Sequence, residues 1–121
     1  MRQALAVVTL AAVFAVTAAA ASGPLRLIIV VPGTVHRGHT TTVGGVAGGC
    51  PVGDTVTLIS RAFAHTHDFA GVPAVYTTVH AGHKFKVATR IPATKRPGVY
   101  VVTARCGGGN LGVKASIHVI R

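Results

Sequence analysis

A chain of 121 residues has room for one domain, and half of its residues are hydrophobic, which excludes a wholly solvated, disordered polymer. Twelve Lys and Arg stand against two acids, Asp54 and Asp68, for a formal net charge of +10. With no glutamate and two lone aspartates, paired-carboxylate hydrolysis has no foundation.

The chain opens with Met1-Arg2, runs apolar and small through 4–21, and exits in Ala18-Ala19-Ala20-Ala21-Ser22. A basic start, an apolar middle and a small-residue exit describe a secretory signal peptide, helical while it lasts and cut after Ala20 or Ala21; the alternative is a retained membrane anchor, since about 18 apolar residues is near the minimum that spans a bilayer. Residues 1–21 are therefore set apart as the signal, and 22–121 form one domain. Loss of Arg2 leaves eleven basic residues against two acids, a net charge of +9. Such a surface attracts polyanions, which outside the cell means envelope polymers, anionic lipid or stray nucleic acid. Export also places Cys50 and Cys106 in an oxidising compartment, where an even count implies a disulfide.

After residue 22 no long segment repeats with a helical period. Short β-branched runs recur between Gly and Pro, the pattern of an all-β sandwich or barrel. Seven strands are expected, over 25–31, 40–47, 55–62, 74–80, 84–91, 98–106 and 113–120. In the fifth, Phe85, Val87 and Ile91 alternate with Lys84, Lys86 and Arg90. In the sixth, Tyr100, Val102, Ala104 and Cys106 share a face; in the seventh, Ala115, Ile117 and Val119 oppose Lys114 and His118. This period of two marks strands with one dry and one wet face. His80-Ala81-Gly82-His83 reads as a hairpin turn between the fourth and fifth strands, and Gly107-Gly108-Gly109-Asn110 as a turn between the sixth and seventh.

Three pieces of sequence carry a resemblance. They are Gly49-Cys50-Pro51-Val52-Gly53-Asp54-Thr55-Val56-Thr57, then 85–92, then Pro97-Gly98-Val99-Tyr100-Val101-Val102-Thr103-Ala104-Arg105-Cys106. Together they resemble an immunoglobulin-like module of exported actinobacterial proteins, over about 24–120. The resemblance implies a seven-stranded immunoglobulin-like β-sandwich. It places Cys50 after the second strand, paired with Cys106 on the sixth, and makes Tyr100 a tyrosine corner. Three features depart from the family pattern. The turn where the family usually has Asp and Gly carries His80, Gly82 and His83, the segment 63–73 is long, and Gly45 stands where a larger apolar residue would pack. A fold of this kind carries many roles, so function must be argued from sites.

No serine lies in a G-x-S-x-G elbow and both cysteines are committed, so the chain is read as no enzyme. Lys84, Lys86 and Arg90 on one strand face, with Lys95 and Arg96 in the following loop, form the candidate polyanion site. Lys114 and Arg61 extend it if their strands adjoin. The patch lacks interleaved aromatics, which argues against nucleic-acid reading. The second candidate is a metal site for zinc or copper at His65, His67 and Asp68, with His80 and His83 as added ligands if their turn folds toward that loop. Val99 and Val101 either meet a surface protein partner or lie beneath the 63–73 loop. The leading expectation is a non-catalytic, secreted, envelope-associated binding or structural module. The alternative is a secreted metal-binding protein.

Overall fold

The computed structural model describes residues 23–121; the expected signal segment lies outside them. Among the described residues no helix is long and apolar enough to cross a membrane. The chain forms two sheets packed face to face. One contains β1 (Arg26–Val31), β3 (Thr40–Ala47) and β7 (Lys84–Arg90), in the order β1-β3-β7. The other contains β2 (Thr34–His36), β4 (Thr55–Ile59), β5 (His67–Phe69), β6 (Val72–Thr78), β8 (Gly98–Cys106) and β9 (Gly109–Ile120), in the order β2-β9-β8-β4-β6-β5. The all-β sandwich is as expected, but it has nine strands rather than seven.

Two short strands account for the difference. At Pro32-Gly33 the chain leaves the first sheet, and β2 joins the second, running parallel to β9 with Val35 opposite Val119. The crossing is held by the Thr41 hydroxyl, which donates to the Pro32 carbonyl at 2.8 Å, and by the His118 amide, which donates to Gly33 at 2.8 Å. The other addition is β5, which pairs with β6 inside the segment read as a loop. Three-residue strands show no period of their own; a neighbouring backbone makes them.

A further difference from the sequence reading concerns residues 80–83, which do not close a hairpin. β6 belongs to one sheet and β7 to the other, so the single 3₁₀ turn at Ala81–His83 carries the chain between sheets. Gly82 takes φ 78° there, and His83 is also left-handed at φ 59°. The turn after β8 does close a hairpin, with Cys106 opposite Gly109.

β4 stops at Ile59 rather than continuing to Ala62 because Ser60 turns the chain. Its hydroxyl accepts the Ala62 amide at 3.1 Å and its carbonyl accepts the Phe63 amide at 3.2 Å. The turn drops Ala62 and Phe63 into the core. There they join Val43 and Phe85 from the first sheet and Leu58, Val102, Ile117 and Val119 from the second. The expected alternation holds in β7, β8 and β9: Phe85, Val102, Ala104 and Ile117 are buried, while Lys84, Lys86 and His118 are exposed.

The disulfide joins Cys50, just past β3, to Cys106, the last residue of β8, and so ties one sheet to the other; the Cα atoms are 6.1 Å apart. Gly45 is explained by close approach. A Cβ there would lie 2.0 Å from the Leu27 carbonyl oxygen and 3.0 Å from the Phe85 ring, which fills the space a larger residue would have taken.

Two stability effects are expected. Reducing the bridge lowers the unfolding free energy by about 4 kcal/mol, from the entropy of a long closed loop; urea unfolding with and without reductant measures it. Gly45→Ala costs about 2 kcal/mol or more, because backbone rather than a movable side chain meets the new methyl; the same titration on the variant checks it.

Candidate functional site

The loop between β7 and β8 folds against the end of β4. The Lys95 amide donates to the Pro92 carbonyl at 3.0 Å, closing a turn. The Lys95 ammonium donates to the Arg61 carbonyl at 2.6 Å and stands 5.9 Å from the Tyr100 ring centroid. The Tyr100 hydroxyl donates to the Arg96 carbonyl, which is the corner expected of it. These contacts wrap the basic loop around an open cleft of about 490 Å³, whose lining includes Arg61, His65, Lys95, Arg96 and Tyr100.

The five cations of the candidate polyanion site therefore fall in two groups. Lys95 and Arg96 line the cleft together with Arg61, which the sequence offered only conditionally. Lys84, Lys86 and Arg90 are exposed on β7. Arg90 is nearest the cleft, since its carbonyl accepts the Ala64 amide at 3.0 Å. Lys84 lies at the far end, opposite Val46. Successive same-face residues on a strand are about 7 Å apart, so the two groups make a track along β7 toward the cleft rather than one point. Lys114 is not part of it. It pairs with Thr103 on the outer face of the six-stranded sheet, away from β7.

None of these cations is neutralised from within the chain. Both carboxylate side chains are among the described residues, and the one ion pair found there joins His65 Nε2 to Asp68 Oδ1 at 2.5 Å. Asp54 sits in the turn after the disulfide, where its amide donates to the Pro51 carbonyl at 3.1 Å.

The residues of the metal candidate go separate ways. His65 meets Asp68, while the His67 ring stacks on Tyr76 with centroids 4.7 Å apart. His80 and His83 lie at the opposite end of β6 from His67, and the His83 ring Nδ1 hydrogen-bonds the Cys50 carbonyl at 2.8 Å. The single close group of three ligand-type residues among those described is Cys50, Asp54 and Cys106, whose sulfurs are bonded to each other.

Val99 and Val101 are 68% and 51% exposed, so the 63–73 segment does not cover them. That segment reaches Arg105 instead, whose guanidinium lies 4.8 Å from the centroid of Phe69. One feature escaped the sequence altogether. The outer face of the three-stranded sheet carries an open groove of about 510 Å³, lined by residues of β1, β3 and β7 together with His80. The run Leu-Arg-Leu-Ile-Ile-Val-Val reads as a strand, but its unbroken apolar stretch from Leu27 shows no alternation of faces. Its alternation into Ile28 and Val30 against the core and Ile29 and Val31 outside is visible only in the fold.

No family model and no curated protein matches the chain. Among solved structures it is similar to Pseudomonas fluorescens alkylpurine DNA glycosylase AlkC, seen bound to DNA containing an abasic site analog. The TM-score is 0.51 at 16% identity, covering 81% of this chain and 30% of that one. This chain thus spans under a third of that protein's length, and at this identity the likeness speaks to the fold alone.

Removing the Tyr100 hydroxyl should loosen the cleft. Tyr100→Phe is expected to cost about 1 kcal/mol, the usual net value of one hydrogen bond. Thermal unfolding gives that cost, and faster amide exchange in 92–97 locates it.

Proposed function

We propose that this chain is an exported, non-catalytic module of immunoglobulin-like type that holds anionic polymers of the cell envelope on its basic surface. The observation that carries the reading is the cleft. Arg61, Lys95 and Arg96 converge there with His65, and no carboxylate of the chain forms an ion pair with any of the three cations. A polymer bearing repeated phosphates or carboxylates supplies the missing charge at several points, from the cleft along Arg90 to Lys86 and Lys84.

The immunoglobulin-like type is supported by the inter-sheet Cys50–Cys106 bridge and by the Tyr100 corner. Export is supported by the signal-like start and by the bridge, which persists in oxidising compartments. The non-catalytic reading is supported by the commitment of both cysteines to that bridge. The metal-binding alternative draws less support, since His65 and His67 face different partners.

Retention on immobilised inorganic polyphosphate tests the reading. At low salt the protein should be retained, and retention should fall away as salt approaches about 1 M, where screening acts within about 3 Å. Arg61→Ser combined with Arg96→Ser should weaken binding by about tenfold, equivalent to about 1.4 kcal/mol. Retention that ignores salt, or a double variant that binds like the parent, would overturn the proposal.

A further inference from the structure

The groove on the three-stranded sheet is built from three rows of residues across β1, β3 and β7. Strand register aligns Leu27 with Val46 and Lys84, then Ile29 with Gly44 and Lys86, then Val31 with Thr42 and Ala88. Each row begins with a large apolar side chain on β1, and two of the three end in a lysine on β7. The middle row has no side chain at its centre. At Gly44 the floor is backbone, so Ile29 and Lys86 face each other across a trough.

This face is unusual for an outer sheet surface. Ile29 is 53% and Val31 63% exposed, side by side on one strand. Contiguous exposed apolar surface of this kind marks a binding region more often than a bare one. Across the trough, Lys84 and Lys86 line the groove, the Lys86 stem lying against Gly44 and the Lys84 stem along Gly82. No acid of the chain neutralises them: Asp68 pairs with His65 on the other sheet, and Asp54 lies beyond the disulfide.

We infer that this groove binds one long-chain fatty acid, its alkyl chain along the β1 side and its carboxylate between Lys84 and Lys86. Shape and charge select that ligand together. The walls on β1 and β7 stand two strand spacings apart, about 9.6 Å between backbones, which leaves room for an alkyl chain laid beside Ile29. A bilayer surface is flat and leaves the Gly44 floor empty. A neutral lipid leaves both ammonium groups unpaired. The site shares its lysines with the polymer track but requires the β1 side chains, which the track does not use.

Fluorescence titration of the oxidised protein with anthroyloxy-labelled palmitate, displaced by unlabelled palmitate, is the test. Saturable binding at one site per chain is expected. Ile29→Asn and Lys86→Gln should each weaken it by about tenfold, while Ile29→Leu restores it. Both substituted side chains are exposed, so circular dichroism should match the parent. Methyl palmitate, which lacks the charge, should compete poorly. Polyphosphate retention of Ile29→Asn should be unchanged, so failure of this site and failure of the polymer reading register separately. The inference is overturned if the parent shows no saturable binding, if Ile29→Asn binds undiminished, or if methyl palmitate competes as well as palmitate. Sedimentation with anionic vesicles in the absence of palmitate binding also overturns it, in favour of a membrane surface.

Discussion

The end of the sandwich where β3 finishes and β8 finishes is closed by a covalent tie, and much of the structure is organised around it. Cys50 and Cys106 bring the two sheets to a fixed separation at that end. Arg26 reinforces the same corner from β1, its Nε donating to the Gly48 carbonyl at 2.8 Å and Nη1 to Leu111 on the opposite sheet at 3.5 Å. His83, on the turn that carries the chain from one sheet to the other, hydrogen-bonds the Cys50 carbonyl. A domain of about a hundred residues buries a modest core, and one long-loop bridge is a large share of its stability. Within the three-stranded sheet, Phe85 of β7 fills the volume left by its partner Gly45 on β3.

The remaining polar surface is dominated by uncompensated positive charge. Two carboxylates in the whole chain leave most lysines and arginines to water. Lysine on an exposed edge strand has an ordinary purpose, since it discourages sheets from pairing edge to edge, and β7 is such an edge. That purpose explains Lys84 and Lys86 as residues. It does not explain why a trough floored by glycine and walled by Ile29 and Val31 runs beside them. Nor does it explain the cleft, where Arg61 and Arg96 come from different loops and meet because Lys95 and Tyr100 hold the backbone between them. The opposite sheet presents a different surface. There Val99 and Val101 are exposed and Arg105 lies over Phe69.

Several features were legible in the residues because they follow from local chemistry. β-Branched runs between Gly and Pro gave β3 and β8 their bounds, and period-two alternation separated the buried Phe85 and Ile117 from the exposed Lys86 and His118. An even cysteine count after a signal-like start implied the bridge. The resemblance to an immunoglobulin-like module implied the corner at Tyr100. Each of these is written within a few neighbouring residues, or in a count that permits one pairing.

Tertiary packing decided the rest. β2 and β5 exist because β9 and β6 offer them unpaired backbone, which no three-residue window records. The 80–83 segment has the composition of a hairpin, yet it crosses between sheets because β7 takes β3 as its partner and β6 takes β4. Arg61 entered the cleft, and Lys114 went to the far face, by the order of strands in the sheets. The groove needed register above all. Ile29, Gly44 and Lys86 are distant in sequence, and only hydrogen-bonded pairing of three strands sets them in one row. Composition and periodicity determined the strand faces, the bridge and the charge; which faces meet, and which stay open to a ligand, depended on pairings made at long range.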